Sequence, residues 1–310
     1  MKAAHLQAAG PQPGRRGLDP RRKRSWTRAL PVLPAVVLLL AFMAGPIIYS
    51  VYLAFTNRAL RGAGAADPEF IGLGNFGQAF GSAQFWHSVL LTLAFTVVSA
   101  VIGQNILGML LALLMRSASR ITTTLTSAII IGAWILPEVV AGYLWYTFLG
   151  EKGSLNGVLG FFGLPAQDLL ISFPILAVAF ANIWRGTAFS MLVYRAALTQ
   201  VPPEIGESAQ LDGAGAVRRF FSITLPMIRR SVLTNLMLIT LQTLSVFGLI
   251  YVMTAGGPAG ASQTLPLFMY EQAFSFGQLG YGAAVALLLL VIGAIASLVY
   301  LRLLPKEDKS

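Results

Sequence analysis

Long apolar runs dominate this chain of 310 residues. A helix needs about 20 apolar residues to cross a hydrocarbon layer of about 30 Å. Six runs are long enough: Leu30–Phe55, Ser88–Met115, Thr123–Gly150, Leu169–Tyr194, Ser231–Ala255 and Gly280–Leu301. They are continuous rather than alternating, which excludes the strands of a membrane barrel. The pattern therefore predicts an all-α integral membrane protein with six transmembrane helices.

The composition supports a membrane protein and excludes several chemistries. Hydrophobic residues make up 56% of the chain and charged residues 11%, whereas a soluble domain carries about 25% charged residues. The chain has no cysteine and two histidines. Disulfides, thiolate metal sites, iron–sulfur clusters and cysteine nucleophiles are thus excluded, and a histidine-based metal site is disfavoured.

The 22 basic residues are unevenly distributed between the predicted loops. Segments 1–29, 116–122, 195–230 and 302–310 hold 18 of them, whereas the alternate segments hold three. Because basic residues collect on the cytoplasmic side, both termini are predicted to be cytoplasmic. We interpret segment 1–29 as a basic, disordered tail before an uncleaved signal anchor, not as a nucleic-acid-binding arm.

The loop between the fourth and fifth spans is longer than an ordinary connection. Pro202 and Pro203 suit the first turn of a helix, where a missing N–H costs nothing. Glu204 and Glu207 complement the dipole at that end. The sequence thus predicts a short helix at the start of residues 202–226, which we call the docking loop.

A second short helix is predicted to follow a tight corner in the docking loop. We expect Asp212 to cap this helix and Gly213 to let the backbone turn. One side of the helix then carries Val217 and Phe220, and Pro226 ends it. Two short helices with exposed apolar side chains at the inner membrane surface are typical of a protein contact site.

The docking loop resembles the E-A-A-x-x-D-G-A-x5-F-x-x-I-x-L-P loop of ABC importer permeases. The stretch from Glu207 to Pro226 matches every named position except the first alanine, where Ser208 stands. Because the match is long and ordered, the chain is identified as similar to the permeases of type I ABC importers.

Two further stretches are similar to carbohydrate permeases of the maltose type. Ile71-Gly-Leu-Gly-Asn-Phe76 matches their G-L-x-N-aromatic motif. The segment Thr254-Ala-Gly-Gly-Pro258, followed by Thr264 and Tyr270, resembles their T-x-G-G-P segment. The resemblance covers roughly residues 30–305 and is to the first-named permease of the carbohydrate heterodimers.

The resemblance implies a set of partners for this chain. In that family, two six-helix permeases pair around a pathway, each docking loop sits in a groove on one of two ATPase subunits, and an extracytoplasmic binding protein or lipoprotein delivers the solute. The chain itself contains no G-x-x-x-x-G-K-[ST] phosphate loop. We therefore expect a non-catalytic subunit without its own cofactor in a bacterial or archaeal cell membrane, with ATP and Mg²⁺ used by the ATPases. The implied ATPase-coupling residues are Glu207, Ser208, Ala209, Asp212, Gly213, Ala214, Val217, Phe220 and Pro226.

Two charged residues lie inside the predicted spans, Glu138 in the third and Arg185 in the fourth. A charge near the bilayer centre costs about 2.5–3.5 kcal/mol on insertion scales, so it faces a partner or a cavity. An ion pair that joins the two spans is the favoured interpretation. The other is a polar cavity for a sugar, with Trp184 stacked on a sugar ring.

The fifth span carries several uncharged polar residues. Asn235 and Gln242 are seven positions apart and are therefore expected on one helical face. Because the resemblance places substrate contacts on this span, we expect Asn235, Gln242 and Ser245 to line the pathway with Glu138 and Arg185.

Other functions remain open from the residues alone. The docking loop also suits permeases for other solutes, such as glycerol phosphate, a polyamine or another small polar molecule. A six-span channel or a membrane scaffold is a different class, but no repeated carbonyl filter or arginine-rich sensor helix is visible in the sequence. A homodimer also remains open beside the favoured heterodimer.

Overall fold

The computed structural model describes residues 32–304. The predicted basic tail 1–29 and residues 305–310 of the predicted C-terminal tail lie outside the described range. The chain divides into two units, residues 1–49 and 50–310. Of the first unit the structure describes part of a helix, and the second is described below. In the described part of the chain, extended pairing is limited to one isolated bridge between Thr56 and Phe70.

The described residues are mostly helical. In chain order the helices are α1 (Leu33–Ala54), α2 (Ala63–Ala66), α3 (Gly74–Gly81), α4 (Ala83–Ser117), α5 (Arg120–Ile135), α6 (Glu138–Leu149), α7 (Ser154–Phe161), α8 (Leu169–Ser172), α9 (Pro174–Thr199), α10 (Pro203–Leu211), α11 (Ala216–Arg219), α12 (Arg229–Leu244), α13 (Gly248–Thr254), α14 (Leu265–Tyr270) and α15 (Leu279–Leu303). Helices α1 and α4 contain π-helical turns at Leu40–Ala44 and Val97–Gln104.

Four of these helices, α1, α4, α9 and α15, are each long and apolar enough to cross a membrane. Two bent pairs pass the same test only when their halves are counted together. The first pair, α5 with the segment that α6 begins, bends by 105°. The second pair, α12 with α13, bends by 50°. The apolar runs thus become four continuous helices and two broken ones.

The break in the third apolar run lies at Leu136 and Pro137. Leu136 has an extended conformation with φ −60° and ψ 132°, because the proline ring disfavours helical geometry in the preceding residue. Pro137 also lacks the N–H that would continue the hydrogen-bond ladder. A new helix therefore starts at Glu138 in a different direction.

The break in the fifth apolar run has no proline. The backbone N–H groups of Ser245 and Val246 bond to the carbonyls of Gln242 and Thr243, three residues back, at 3.3 and 3.1 Å. The hydroxyl of Ser245 also donates to the Gln242 carbonyl at 2.9 Å. A hydroxyl that takes a carbonyl in the last turn competes with the continuing helix. The tightened turn ends α12, and α13 begins at Gly248 after the bend.

Helix α9 is the centre of the second unit and packs closely against α4. A Cβ placed on Gly108 of α4 would lie 2.5 Å from Ser190 Cβ and 2.9 Å from the Met191 backbone nitrogen. Only glycine allows this approach, which is typical of helix pairs in membranes. On the outside, large apolar side chains such as Leu114, Ile129 and Leu290 are mostly exposed. That surface suits hydrocarbon better than water.

Candidate functional site

A polar cavity of about 230 Å³ lies where the two broken helices meet α9. We call it the ion-pair cavity. Its lining residues come from α4, α5, α6, α9, α12 and the break after α12: Gln104, Trp134, Glu138, Asn182, Arg185, Gly186, Gln242, Thr243, Ser245 and Val246. Four of the residues predicted for the pathway are thus together: Glu138, Arg185, Gln242 and Ser245.

Glu138 and Arg185 form an ion pair across the cavity wall. Arg185 Nη1 lies 3.5 Å from Glu138 Oε1, and the side chains are 24% (Arg185) and 33% (Glu138) exposed. The same guanidinium donates from Nε to the carbonyl of Leu136 at 3.2 Å. The arginine therefore binds both the charge that begins α6 and the backbone at the proline break. The favoured interpretation, an ion pair that joins two elements, is observed, and the same pair lines a polar cavity.

The two half-helices beyond the breaks, α6 and α13, pack against each other through glycines. A Cβ on Gly248 would lie 3.3 Å from Glu138 Oε2 and 3.4 Å from Glu138 Cβ. A Cβ on Gly142 would lie 3.1 Å from the Val252 side chain. The close packing holds the Glu138 carboxylate between the starts of the two half-helices.

Helices α4 and α9 contribute further polar groups to the wall of the cavity. Gln104 Nε2 donates to the Asn182 carbonyl at 3.2 Å, and Asn182 Nδ2 donates to Ser99 Oγ at 2.9 Å. A Cβ on Gly186 would lie 2.3 Å from the Gln104 side-chain amide. The sequence pattern does not predict a place in the pathway for Trp134, Asn182, Gly186 or Thr243. Asn182 had a usable signal, since it is an amide inside an otherwise apolar run.

Asn235 lies in a separate buried group, which we call the amide–tyrosine cluster. The cluster consists of Asn105, Ser190, Tyr194 and Asn235. Asn235 Nδ2 lies 3.0 Å from Asn105 Oδ1, Ser190 Oγ and Tyr194 Oη, and the Tyr194 hydroxyl donates to Asn105 Oδ1. Asn235 is fully buried. The structure therefore separates Asn235 from Gln242, with which the sequence predicts a shared face.

Trp184 also lies away from the ion-pair cavity. It lines a small apolar hollow with Leu144, Trp145 and Phe148. Its ring meets that of Trp145 edge-on at 5.6 Å between centroids. Because neighbouring residues of a helix point in different directions, Trp184 faces this hollow while Arg185 faces the cavity.

A larger cavity of about 820 Å³ lies beyond the far ends of α6 and α13. Its lining includes Glu151, Lys152, Asp168 and the start of the Thr254–Pro258 turn. Gly257 in that turn has φ +69°, and a Cβ there would lie 2.9 Å from Ser262 Oγ. This cavity is lined by helix ends and the loops that follow them, whereas the smaller one brings together polar side chains from several apolar elements. We therefore take the ion-pair cavity as the candidate site.

A further polar group lies in the connection before α15. Gln84 Nε2 donates to Gln263 Oε1 at 2.9 Å, and Gln263 in turn donates to the Glu271 carboxylate. Burial raises the pKa of Glu271 above its ordinary value, and the Gln263 hydrogen bond offsets part of that effect.

The docking loop forms two helical segments around a corner. Helix α10 begins at Pro203 with Pro202 before it. Gly213 has φ +80°, a conformation that glycine adopts without strain. The sequence predicts a cap from Asp212 for the second segment, but Gly215 takes the N-cap position, with no side-chain cap bond. The capping prediction is wrong, because two residues separate Asp212 from that position.

Arg219 connects the two segments of the docking loop. Its Nη1 donates to the Gly206 carbonyl at 3.3 Å and to Gln210 Oε1 at 2.9 Å. The sequence also predicts that Pro226 ends the second segment. Instead, the helix widens into a π turn at Phe220–Thr224 and passes through the proline to Met227. The wider turn accommodates a ring that cannot donate a hydrogen bond.

The docking loop leaves large apolar side chains exposed. Leu211 is 89% exposed, Val217 72% and Phe221 61%. Glu207, Ser208, Asp212, Gly213 and Pro226 are also exposed, whereas Ala209, Ala214 and Phe220 are half-buried. The predicted coupling residues therefore lie on one short helical corner, most of them accessible to a partner.

Residues 104–309 match the family described as binding-protein-dependent transport system inner membrane component. The chain belongs to this family. It is 31% identical to the sulfoquinovosyl glycerol transport system permease protein of Agrobacterium fabrum, over 94% of this chain and 97% of that protein. It is 29% identical to the trehalose/maltose transport system permease protein of Thermococcus litoralis, over 88% and 92% of the respective chains.

The fold of this inner membrane component is also found in solved structures. A chain of a bacterial alginate ABC transporter, crystallised in complex with a periplasmic protein that holds an alginate pentasaccharide, superposes with a TM-score of 0.76 at 24% identity. The match covers 90% of this chain and 93% of that one. The family match and the named relatives confirm the resemblance to ABC importer permeases, and this chain is a membrane transport permease.

Proposed function

We propose that this chain is one of two permease subunits of an ATP-driven importer that carries a sugar or oligosaccharide inward. The observation that carries the proposal is the docking loop, which exposes Leu211, Val217 and Phe221 in a member of this family. An exposed apolar patch of this kind is typical of a protein interaction site. We infer that this surface docks on an ATPase subunit, and that ATP hydrolysis by that subunit with Mg²⁺ drives transport through this chain.

The proposed topology has six spans, with each bent pair counted as one. The basic residues favour cytoplasmic termini and a cytoplasmic docking loop. A second six-helix permease completes the pathway, and two ATPase subunits take one docking loop each. An extracytoplasmic binding protein or lipoprotein delivers the solute to the opposite face.

The proposed pathway passes the ion-pair cavity. Its amides and hydroxyls, among them Gln104, Gln242 and Ser245, match the hydrogen-bonding groups of a sugar, and Trp134 offers an aromatic face. Ligand pockets usually start at about 300 Å³, so a cavity of about 230 Å³ fits as one side of a site that the second permease completes. Relatives named for trehalose or maltose and a structural neighbour named for alginate support a carbohydrate but leave its charge open.

The importer is tested by purifying the chain from its native membrane together with its bound subunits. We expect a second permease and an ATPase to copurify, and reconstituted vesicles to take up a radiolabelled sugar only with ATP and binding protein. The panel contains trehalose and maltose, each also with its C6 oxidised to a carboxylate, as well as glycerol phosphate and spermidine. Exclusive uptake of glycerol phosphate or spermidine would replace the sugar assignment, and a chain without ATPase would refute the importer.

The docking loop offers a matched pair of variants. Gly213→Ala adds a methyl group at φ +80°, which strains the corner, whereas Gly215→Ala adds the same group at φ −63°. Neither added Cβ has an atom within 4 Å. We expect Gly213→Ala to lower ATP-dependent uptake about tenfold and Gly215→Ala to leave it near the wild-type rate. Equal effects of the two would mean that the corner does not couple the subunits.

A further inference from the structure

The ion-pair cavity is electrically compensated. Among the described residues that line it, the charged ones are Glu138 and Arg185, and they face each other at 3.5 Å. The other lining side chains that can bond are amides, hydroxyls and an indole, from Gln104, Asn182 and others. The cavity thus offers many neutral hydrogen-bonding groups and no unpaired charge.

The charges that could attract an anion are already paired or compensated. Arg185 uses Nη1 for Glu138 and Nε for the Leu136 carbonyl. Glu138 is the first residue of α6, a helix of 12 residues whose N-terminal end would otherwise attract a negative group. Gly248 packs on the other side of this carboxylate. The positive end of α6 and the Arg185 charge, which would favour an acidic solute, are therefore balanced by the protein's own carboxylate.

We propose that this cavity selects neutral carbohydrate and rejects sugars that carry a carboxylate or sulfonate, with Glu138 as the specificity-determining residue. The inference rests on the proposed function and assigns the charge class that the relatives leave open. A charge that leaves water for a compensated cavity loses its hydration without gaining a counter-ion. A neutral sugar exchanges water for amide and hydroxyl partners and has no such cost.

The test measures binding directly on the purified complex of this chain with its partner subunits, without the binding protein, so that delivery does not filter the solutes. The probes are trehalose and maltose, each with its C6-carboxylate analogue, and Kd is read from tryptophan fluorescence, since Trp134 lines the cavity. We expect each neutral sugar to bind at least tenfold more tightly than its carboxylate.

Variants then assign the preference to the ion pair. Glu138→Gln keeps the shape but leaves the Arg185 charge uncompensated, and is expected to shift the neutral-to-carboxylate ratio at least tenfold towards the carboxylate. Glu138→Gln combined with Arg185→Gln restores a neutral cavity and the preference for neutral sugar. Glu69→Gln makes the same change in an exposed loop and is expected to leave the ratio unchanged.

Equal binding of both forms by the wild-type complex, or no binding of either neutral disaccharide, would overturn the inference without any variant. A ratio unmoved by Glu138→Gln in a complex that still assembles would overturn it as well. The proposed function is separate, because ATP-dependent uptake of any sugar supports the importer whichever charge the cavity prefers.

Discussion

The ion-pair cavity and the amide–tyrosine cluster share three helices, α4, α9 and α12, yet their polar side chains have opposite environments. Helix α4 contributes Gln104 to the cavity and the next residue, Asn105, to the cluster. Helix α12 contributes Gln242 to the first and Asn235 to the second. In the cluster, the helices are continuous and the polar groups bond one another. At the cavity, two elements are broken, and the polar groups face open space. Polar residues in an apolar helix thus become available to a solute where helix packing is interrupted.

The largest expected effect comes from a methyl group added beside the cluster. Gly108→Ala would place its Cβ 2.5 Å from Ser190 Cβ and 2.9 Å from a backbone nitrogen of α9. Neither neighbour can move alone, so we expect a loss of stability of about 3 kcal/mol, the upper range for overpacking. Thermal melting of the purified complex measures it.

The matched change beside the cavity is Gly186→Ala. The three atoms nearest to its Cβ all belong to the flexible end of the Gln104 side chain, which lines the cavity and can shift towards it. We expect a loss below about 1 kcal/mol, because alanine also favours the helix. Equal melting temperatures for Gly108→Ala and Gly186→Ala would show that the cluster is not packed more tightly than the cavity.

Asn235→Ala removes the central donor of the cluster. Asn105, Ser190 and Tyr194 then lose a partner in a buried site, at a cost of about 2 kcal/mol. The melting temperature is expected to fall, while the Kd for sugar stays within about twofold of wild type. A normal melting curve with weakened sugar binding would instead return Asn235 to the pathway.

Gln242→Ala is expected to behave in the opposite way. Its side chain is exposed to the cavity, so the free energy of unfolding should change by no more than about 0.5 kcal/mol. The Kd for a neutral sugar should rise about tenfold, which is about 1.4 kcal/mol of binding energy. If Gln242→Ala lowered the melting temperature as much as Asn235→Ala does, the distinction between the two positions would not hold.

Glu271 tests an intermediate case, a half-buried carboxyl outside the proposed spans. Because burial raises its folded pKa, the folded state holds its proton at a higher pH than the unfolded state does. This contribution to stability is present below the ordinary glutamate pKa and is lost as the pH rises through the raised value. Glu271→Gln should flatten that part of the curve of melting temperature against pH, and this is the smallest of the expected effects. A variant that melts with the wild-type pH dependence would contradict it.

Much of the candidate site follows from sequence because its signals are local. Pro137 marks a break, since a proline has no N–H to donate, and the two charges in apolar runs indicate a pair. The division between Asn235 and Gln242 does not follow, because a seven-residue spacing predicts one face whatever packs against it. The second break has no proline, and it depends on a serine hydroxyl that competes for a carbonyl. Trp184 differs from Arg185 only in direction, which packing decides.

The docking loop shows the same limit. Its helix start and glycine corner are encoded by single residues, Pro203 and Gly213. The contact that joins the two segments is made by Arg219, a residue that the motif leaves unspecified, and it depends on distances between residues far apart in the loop.

Helix α9 runs without interruption from Pro174 to Thr199, and α10 of the docking loop begins at Pro203. Arg185 is therefore connected to the docking loop by about 21 Å of continuous helix, at 1.5 Å per residue. Such a segment acts as a lever. A displacement of its C-terminal end would reach the guanidinium with little loss, and the same guanidinium bonds the Glu138 carboxylate and the Leu136 carbonyl. Force applied at the loop would thus act directly on the break between α5 and α6.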